Sequence, residues 1–217
     1  IQKEFGNKYK NLTLRYVEQK EQKGTGHALL HAEKFIGNET NESFFVIYGD
    51  DYFDGQDIQQ LAKQSPAILC QEADHPEQYG VIGADEKQQL VSIEEKPKKP
   101  KSKLVNTGCY VLDQGIFPIL KKLKLTQRKE YELTDAVQAF ARMKPVRIVL
   151  AKHWQPLSYP WDLLDANKKL LQKITFRNLG IIEKGVTIHG AVEIGKDTIL
   201  KSGTYIEGPV VIGDHCT

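Results

Sequence analysis

Residues 182–217 read IEKGVT-IHGAVE-IGKDTI-LKSGTY-IEGPVV-IGDHCT, six consecutive segments of six residues that repeat one pattern. An aliphatic residue leads each segment, and valine, threonine or cysteine follows four positions later. A six-residue repeat predicts a parallel β-helix, in which each segment forms one flat side of a coil. The leading residue points into the bore, and the smaller one fits a tight corner. The leading residues are Ile182, Ile188, Ile194, Leu200, Ile206 and Ile212.

Upstream of the repeat, strand-like runs alternate with runs of helical spacing. Residues 43–51, SFFVIYGDD, form an apolar run that ends in acid, which predicts a fully buried parallel strand. Strand–helix alternation predicts an α/β sheet with helices on its faces. We therefore expect one domain at 1–173 and a second, of about two coils, at 180–217. Other strands are predicted at 12–19, 66–73, 106–113, 146–153 and, around a turn, within 79–97; helices are predicted at 26–36, 57–64, 114–123, 133–143 and 161–173.

Composition excludes several classes of protein. The net charge of +2 over 217 residues gives no overall field for nucleic acid. No apolar run approaches the ~18 residues that cross a bilayer. The cysteines have neither a disulfide framework nor zinc-site spacing, which favours a reducing cytosol. We expect a cytoplasmic protein without a nucleic-acid or membrane partner, and the basic run at 96–103 suits a solvated loop.

Several short motifs follow one another in a set order: Gln19 with QKGTGHA at 22–28, YGD at 48–50, YGV at 79–81, EEKP at 94–97, NTG at 106–108 and LTD at 133–135. Their shared order and spacing resemble the sugar-1-phosphate nucleotidylyltransferases, in the branch that carries a C-terminal left-handed β-helix. The resemblance covers essentially the whole chain. It implies a Rossmann-like nucleotidyltransferase domain with a mixed sheet. It also implies Mg²⁺-dependent formation of a nucleotide-sugar and pyrophosphate from a nucleoside triphosphate and a sugar 1-phosphate.

The glycines at 24 and 26 come directly before a predicted helix. Without Cβ atoms the backbone can lie against a flat base, and N–H groups at the helix start can donate to it. Gln19 offers a donor and an acceptor to a pyrimidine edge. The resemblance favours UTP or dTTP, with GTP still possible, while a plain glycine-rich turn is the structural alternative. It implies nucleotide binding by Gln19, Gln22, Gly24, Thr25, Tyr48 and Gly49; His27 and His31 are interpreted as packing or surface residues.

Asp50 ends a predicted strand, at the sheet edge where α/β proteins place ligands. A carboxylate there can hold Mg²⁺, and Asp51 is expected to point elsewhere. Side chains alternate along a strand, so only one of Glu94 and Glu95 should face a pocket. LTD at 133–135 equally suits a helix cap. The resemblance implies a metal role for Asp50, catalytic roles for Asp50 and Lys96, and sugar-phosphate binding by Gly80, Glu94 or Glu95, Lys96 and Asn106.

The sequence departs from the family pattern at two places. No glycine-rich loop with arginine and lysine precedes Gln19, so a first βαβ unit of about 50–60 residues is expected to be missing. We therefore expect this chain to be inactive by itself. The second metal ligand of the family is expected near Gln155–Pro156, where no carboxylate occurs. Asp162 is the nearest candidate.

Two other functions remain open on the sequence. The β-helix could carry acyl-CoA-dependent acyl transfer, as hexapeptide β-helices often do. The chain could instead be a catalytically inactive nucleotide-sugar-binding or oligomerisation element. His189 and His215 are interpreted as solvated corner residues. A homo-oligomer is expected in either case, a trimer through the β-helix if that helix is complete.

Overall fold

The computed structural model describes residues 1–36 and 42–217. The chain forms two compact units, Ile1–Trp154 and Gln155–Thr217. This division precedes the predicted boundary at 173–180, which stays a prediction. None of the helices in the described residues has the length and apolar character needed to cross a bilayer.

The first unit is an α/β structure. Its helices are α1 (Gln2–Phe5), α2 (Thr25–Ala32), α3 (Gly55–Ala62), α4 (Ile116–Leu120) and α5 (Leu133–Ala141). Its strands are β1 (Lys8–Tyr9), β2 (Leu12–Thr13), β3 (Ser43–Ile47), β4 (Asp51–Phe53), β5 (Ala67–Glu72), β6 (Gly80–Ala84), β7 (Leu90–Glu95), β8 (Leu104–Asp113), β9 (Arg147–Leu150) and β10 (Trp154–Pro156), the last of which runs into the second unit.

A mixed sheet lies at the centre of this unit. Within the described part of the chain its order is β7-β6-β8-β5-β9, and β3 also pairs with β8. The β5–β9 pair is parallel, whereas β3, β5 and β6 all run antiparallel to β8. The long strand β8 therefore pairs with β5 along one edge. Along its other edge it pairs first with β6 and then with β3. The predicted mixed α/β sheet is confirmed.

Successive side chains of each strand point to opposite faces of the sheet, and both faces are buried. Ile68 and Tyr110 point to one face, where they pack with buried residues of α2, α4 and α5. Ala67 and Val111 point to the other face and pack with Leu61 of α3. Helices on both faces leave the strand ends and their loops as the places where ligands can bind.

Two strand predictions are wrong. The predicted strand at 12–19 is a strand only at Leu12–Thr13, because the ladder to Lys8–Tyr9 holds two residue pairs. A strand needs a hydrogen-bonded neighbour as well as suitable residues. The apolar run at 43–51 is also not a fully buried parallel strand. Strand β3 is antiparallel to β8, and alternate side chains, among them Phe45 at 42% and Ile47 at 47%, are exposed.

Asp57 is a buried carboxylate that holds the chain at the end of the first unit. Its side chain is fully buried on α3, and Oδ2 accepts from the N–H groups of Lys152 and His153 at 2.9 and 3.0 Å. We expect Asp57→Ala to lower the free energy of unfolding by about 3 kcal/mol, because two backbone N–H groups lose the buried, charged acceptor that they share. Urea unfolding measures the change. The exposed Asp74→Ala is the control, and an equal effect of both variants would contradict this account.

The second unit contains α6 (Asp162–Leu171) and a series of short parallel strands. The pairs lie three hexads apart: Ile188 beside Ile206, and Ile194 beside Ile212. The strands are β11 (Arg177–Asn178), β12 (Ile181–Ile182), β13 (Thr187–His189), β14 (Val192–Ile194), β15 (Ile199–Leu200), β16 (Tyr205–Glu207) and β17 (Val210–Ile212).

Some of the predicted inward and corner residues are buried. Ile194, Leu200 and Ile206 are buried in one apolar cluster with Val192. Thr198 occupies a corner, fully buried, and its hydroxyl donates to the Gly213 carbonyl oxygen of the next coil at 2.7 Å. The hexad pattern thus forms the beginning of a parallel β-helix.

Candidate functional site

The glycine-rich segment before α2 forms a compact loop. Gln19 is half-buried, and its Nε2 donates to the Gly24 carbonyl oxygen at 3.1 Å. The same nitrogen lies 2.9 Å from His27 Nδ1. We call Gln19, Gly24 and Thr25 the loop cluster. Gln22, also predicted to bind nucleotide, is exposed beside it.

The fold itself requires glycine at positions 24 and 26. Gly24 has a φ of +95°, and a Cβ there would lie 2.8 Å from the Tyr131 carbonyl oxygen. A Cβ at Gly26 would meet the same oxygen at 2.8 Å, and the Gly26 N–H donates to it. The space beside both glycines is therefore filled by backbone at 130–132. Binding of a base against these two glycines stays a prediction. His27, half-buried, has its ring 4.5 Å from that of His31, which suits the packing interpretation.

Three predicted residues from three neighbouring strands meet at one end of the sheet. Gly80 on β6 lies opposite Glu95 on β7. A Cβ on Gly80 would lie 3.1 Å from Glu95 Oε2 and 3.5 Å from Asn106 Cβ. We call Gly80, Glu95 and Asn106 the sheet cluster. Glu94 is exposed and pairs with Val81, so alternation turns it away from this cluster.

Lys96 follows β7 directly. Its φ of +46° lies in the left-handed region, and its N–H donates to the Tyr79 carbonyl oxygen at 3.0 Å. The side chain is exposed. The Lys96 ammonium acts on Glu95 at the end of the same strand: burial raises the pKa of that carboxyl, and the charge of Lys96 opposes the shift.

Two tyrosines, Tyr48 and Tyr110, pack beside the sheet cluster. The Tyr48 ring lies beside that of Tyr110, with 6.5 Å between the ring centroids. Asn106 Nδ2 donates to the Tyr110 hydroxyl at 2.6 Å, and Asn106 Oδ1 accepts from Gly108 N–H at 2.9 Å. Sequence reasoning missed Tyr110, which is fully buried and looks like an ordinary core residue of β8.

Sequence reasoning also missed Arg128, which lies among carboxylates. Its Nη1 lies 3.4 Å from Glu95 Oε1 and 3.3 Å from Glu132 Oε1, and Nη2 lies 3.8 Å from Glu130 Oε2. The stretch RKEYELTD at 128–135 could have suggested it, because one arginine precedes three closely spaced acidic residues. Arg128 brings a second cation to the sheet cluster.

The carboxyls of this region make stability depend on pH. Burial raises the pKa of Glu95 above its ordinary value of 4.5, although Arg128 and Lys96 oppose the shift. The folded state therefore holds a proton more tightly than the unfolded state, and stability falls as the pH rises through this window. We expect Glu95→Gln to flatten the fall in unfolding free energy above pH 4.5, measured by urea unfolding across the pH range. Glu94→Gln, on the outward face, is the matched control; identical profiles for both variants would refute the assignment.

Tyr48, Gly49 and Asp50 follow β3. Gly49 and Asp50 are exposed, and the neighbouring Asp51 accepts a hydrogen bond from Trp154 Nε1 at 3.0 Å. Asp51 thus points elsewhere, as expected. In the residues that the structure describes, no group of three or more histidine, cysteine, aspartate and glutamate side chains could hold a metal. Mg²⁺ often binds through one or two carboxylates together with waters and substrate phosphates, so the exposed Asp50 carboxylate fits that mode.

Asp162, the tentative second metal ligand, begins α6 in the second unit. Its Oδ2 accepts from Tyr159 N–H at 2.8 Å, and its carbonyl oxygen lies 3.4 Å from Gln155 Nε2. The side chain therefore already stabilises the turn before its own helix. A metal role for Asp162 stays a prediction.

The site lies in a domain of known type: residues 1–173 match the nucleotidyl transferase family, and the chain belongs to that family. It is 38% identical, over 86% of its length, to the bifunctional protein GlmU of Methanocaldococcus jannaschii, of which it covers 45%. It is 39% identical, over 93% of its length, to a bifunctional sugar-1-phosphate nucleotidylyltransferase/acetyltransferase of Sulfurisphaera tokodaii, of which it covers 50%. The chain thus spans about half the length of these curated relatives.

Solved structures agree with this assignment. A UDP-glucose pyrophosphorylase complexed with UDP-glucose has a TM-score of 0.64 and 28% identity, over 73% of this chain and 66% of that one. This chain therefore resembles the family in the path of its backbone as well as in its sequence motifs. The predicted family and fold class are confirmed.

Proposed function

We propose that the full-length protein is a sugar-1-phosphate nucleotidylyltransferase. It joins a nucleoside triphosphate, UTP or dTTP in preference to GTP, to a sugar 1-phosphate, and it releases pyrophosphate. The observation that carries the proposal is the convergence of Gly80, Glu95 and Asn106, from three separate strands, at one end of the sheet. Family membership supports the same reaction class.

The two clusters divide the substrates between them. The loop cluster offers the Gln19 amide and the Thr25 hydroxyl to a base, with Gln22, Tyr48 and Gly49 beside it. In the sheet cluster, Glu95 accepts from sugar hydroxyls and Asn106 can donate to them. An interaction of this kind selects a polyhydroxylated ring because an unmatched polar group would remain unpaired. The base and the sugar are then held at the two ends of one site.

The chemical step requires positioning and charge neutralisation rather than covalent catalysis. An oxygen of the sugar phosphate attacks the α-phosphorus, a new P–O bond forms, and the bond to pyrophosphate breaks. Lys96 and Arg128 are the nearby cations that stabilise the phosphate oxygens. Asp50 would hold Mg²⁺, and the ion would supply positive charge to the phosphates when bound.

Pyrophosphate release tests the proposal. The full-length protein would be assayed with UTP, dTTP and GTP, each with glucose 1-phosphate and N-acetylglucosamine 1-phosphate, in the presence of Mg²⁺. Release with at least one pair, dependent on both substrates, is expected. Absence of release with every pair would overturn the activity.

A second activity is favoured by one observation. The relative from Sulfurisphaera tokodaii is named an acetyltransferase as well, and this chain has the parallel hexad coils. Acetyl transfer by the β-helix of the full-length protein would be detected as CoA release from acetyl-CoA in the presence of glucosamine 1-phosphate. No release would leave the β-helix with an assembly role.

The expected assembly and compartment are part of the proposal. The coils expose outward residues such as Tyr205, at 63%, on which copies of the chain could associate as a trimer. Sedimentation of the full-length protein measures this state. Cys70, Cys109 and Cys216 are free thiols, which favours a reducing cytoplasm.

A further inference from the structure

The Gln19 side-chain amide is held by two acceptors that belong to the protein. Its Nε2 lies 3.1 Å from the Gly24 carbonyl oxygen and 2.9 Å from His27 Nδ1. An amide NH₂ group has two hydrogens, so both are used within the protein. The Gln19 Oε1 atom makes no hydrogen bond in the part of the chain that the structure describes. Oε1 is therefore the atom of this amide that remains for a ligand.

The Gly24 carbonyl oxygen decides which way the amide points. This oxygen also accepts from Ala28 N–H at 3.2 Å in the first turn of α2, so its position is set by the helix. A rotated amide would place the Gln19 oxygen against the Gly24 oxygen, and two acceptors without a hydrogen between them repel each other. The hydrogen-bonding pattern therefore assigns the Gln19 nitrogen to this side.

The amide in turn decides the tautomer of His27. Its Nδ1 has to accept, because a ring hydrogen at Nδ1 would face the hydrogens of the Gln19 amide. The neutral ring then has its hydrogen on Nε2. The ring packs beside that of His31, with 4.5 Å between the centroids, and its centroid lies 6.1 Å from that of Tyr131. His27 is thus a fixed acceptor as well as a packing residue.

An amide with a fixed orientation distinguishes two groups of bases. Uracil, thymine and guanine, the keto bases, present a ring N–H donor beside a carbonyl oxygen. Cytosine and adenine, the amino bases, present a ring nitrogen acceptor beside an amino group. Gln19 Oε1 can accept from the ring N–H of a keto base, and backbone N–H groups at the start of α2 can donate to its carbonyl. An amino base in the same place would set acceptor against acceptor and leave polar groups unpaired.

We propose that His27 is a positioning residue that holds the Gln19 amide in one orientation, so that the site takes keto bases and rejects amino bases. This inference rests on the proposed function, because it takes Gln19 to contact the base. It assigns His27 no contact with the base or with the reacting atoms. Without the Nδ1 acceptor, the amide loses one of the two contacts that oppose its rotation. A rotated amide presents its NH₂ group to the ring nitrogen of an amino base.

Paired nucleotides test this role in the full-length protein. The pairs are UTP with CTP, dTTP with dCTP, and GTP with ATP, each assayed by pyrophosphate release with the sugar 1-phosphate that reacts fastest. The pair with the best keto substrate is used, and the readout is its ratio of kcat/KM, keto over amino nucleotide. Because the ratio compares two substrates on one variant, a general loss of active protein cancels. We expect a wild-type ratio above about 10².

His27→Phe keeps a flat ring and removes the Nδ1 acceptor. We expect it to lower the ratio about tenfold, because one hydrogen bond no longer opposes rotation of the amide. His27→Leu should do the same and serves as the second variant if the first does not fold. His27→Asn restores an acceptor, since its Oδ1 can replace Nδ1, and should keep the wild-type ratio. His31→Phe, the same change one turn further along α2, is the matched control and should also keep it.

The outcomes separate the two claims. A wild type that uses amino and keto nucleotides alike, or an unchanged ratio in the folded Phe and Leu variants of His27, overturns the role of His27 and leaves the proposed function standing. A ratio that falls as far in His31→Phe or in His27→Asn as in His27→Phe shows a merely structural effect and also overturns that role. Absence of pyrophosphate release with every nucleotide overturns the proposed function, and the role of His27 with it.

Discussion

Gly108→Ala is expected to destabilise the protein by about 3–5 kcal/mol and to abolish nucleotide-sugar binding. Gly108 has a φ of +77°, a conformation that L-residues with a Cβ adopt at a cost. A methyl group there would also overlap the ring of Tyr48. The ring must move, and the backbone hydrogen bond from Tyr48 to Gly108 moves with it. Urea unfolding and titration with UDP-glucose or dTDP-glucose measure the two effects.

The variant Gly203→Ala separates the cost of backbone strain from the cost of steric overlap with a neighbouring side chain. Gly203 has a similar φ of +88°, and a Cβ there would meet nothing within 4 Å. We expect Gly203→Ala to lower the free energy of unfolding by about 1–2 kcal/mol, the cost of the left-handed backbone alone, and to leave ligand binding unchanged. A Gly108→Ala variant no less stable than Gly203→Ala would show that the Tyr48 ring adapts, contrary to the packing described above.

Asp50→Asn is expected to lower the turnover of the full-length protein by roughly 10²–10³-fold. The substitution keeps the shape of this exposed side chain and removes the negative charge that would hold Mg²⁺. Nucleoside binding at the loop cluster should remain, because it does not depend on the metal. Steady-state pyrophosphate release over a Mg²⁺ series measures the effect and should also show a higher metal requirement.

The matched control is Asp165→Asn, an exposed aspartate in the first turn of α6. It should keep wild-type turnover. Normal turnover and normal Mg²⁺ dependence in Asp50→Asn would remove this residue from the metal site. Asp162 would then be the remaining carboxylate among the predicted metal ligands.

The hexads could be predicted from the sequence because the leading residues all occupy the same kind of position in the repeat. Ile194 and Ile206 are buried as the period demands, and Thr198 fits its corner. The strand at 12–19 was not predictable in the same way, since Leu12 is 62% exposed and pairing ends at Thr13. Apolar character alone cannot report whether a hydrogen-bonded neighbour exists, or whether that neighbour is parallel.

Within the site, motifs identified positions but not orientations. The choice between Glu94 and Glu95 required the β6–β7 register, in which Glu95 lies opposite Gly80. Arg128 and Tyr110 enter the site only through tertiary contacts to Glu95 and Asn106. Nothing local in the sequence distinguishes Tyr110 from an ordinary core tyrosine, and the acidic stretch after Arg128 is the one local sign of that arginine's role.

The most direct measurement is a crystal structure of the full-length protein with UDP-glucose or dTDP-glucose, whichever binds more tightly. The account predicts one molecule per site, with its base beside Gln19 and Gly24 and its hexose against Gly80, Glu95 and Asn106. A nucleotide-sugar bound elsewhere, or one that reverses base and hexose, would contradict it.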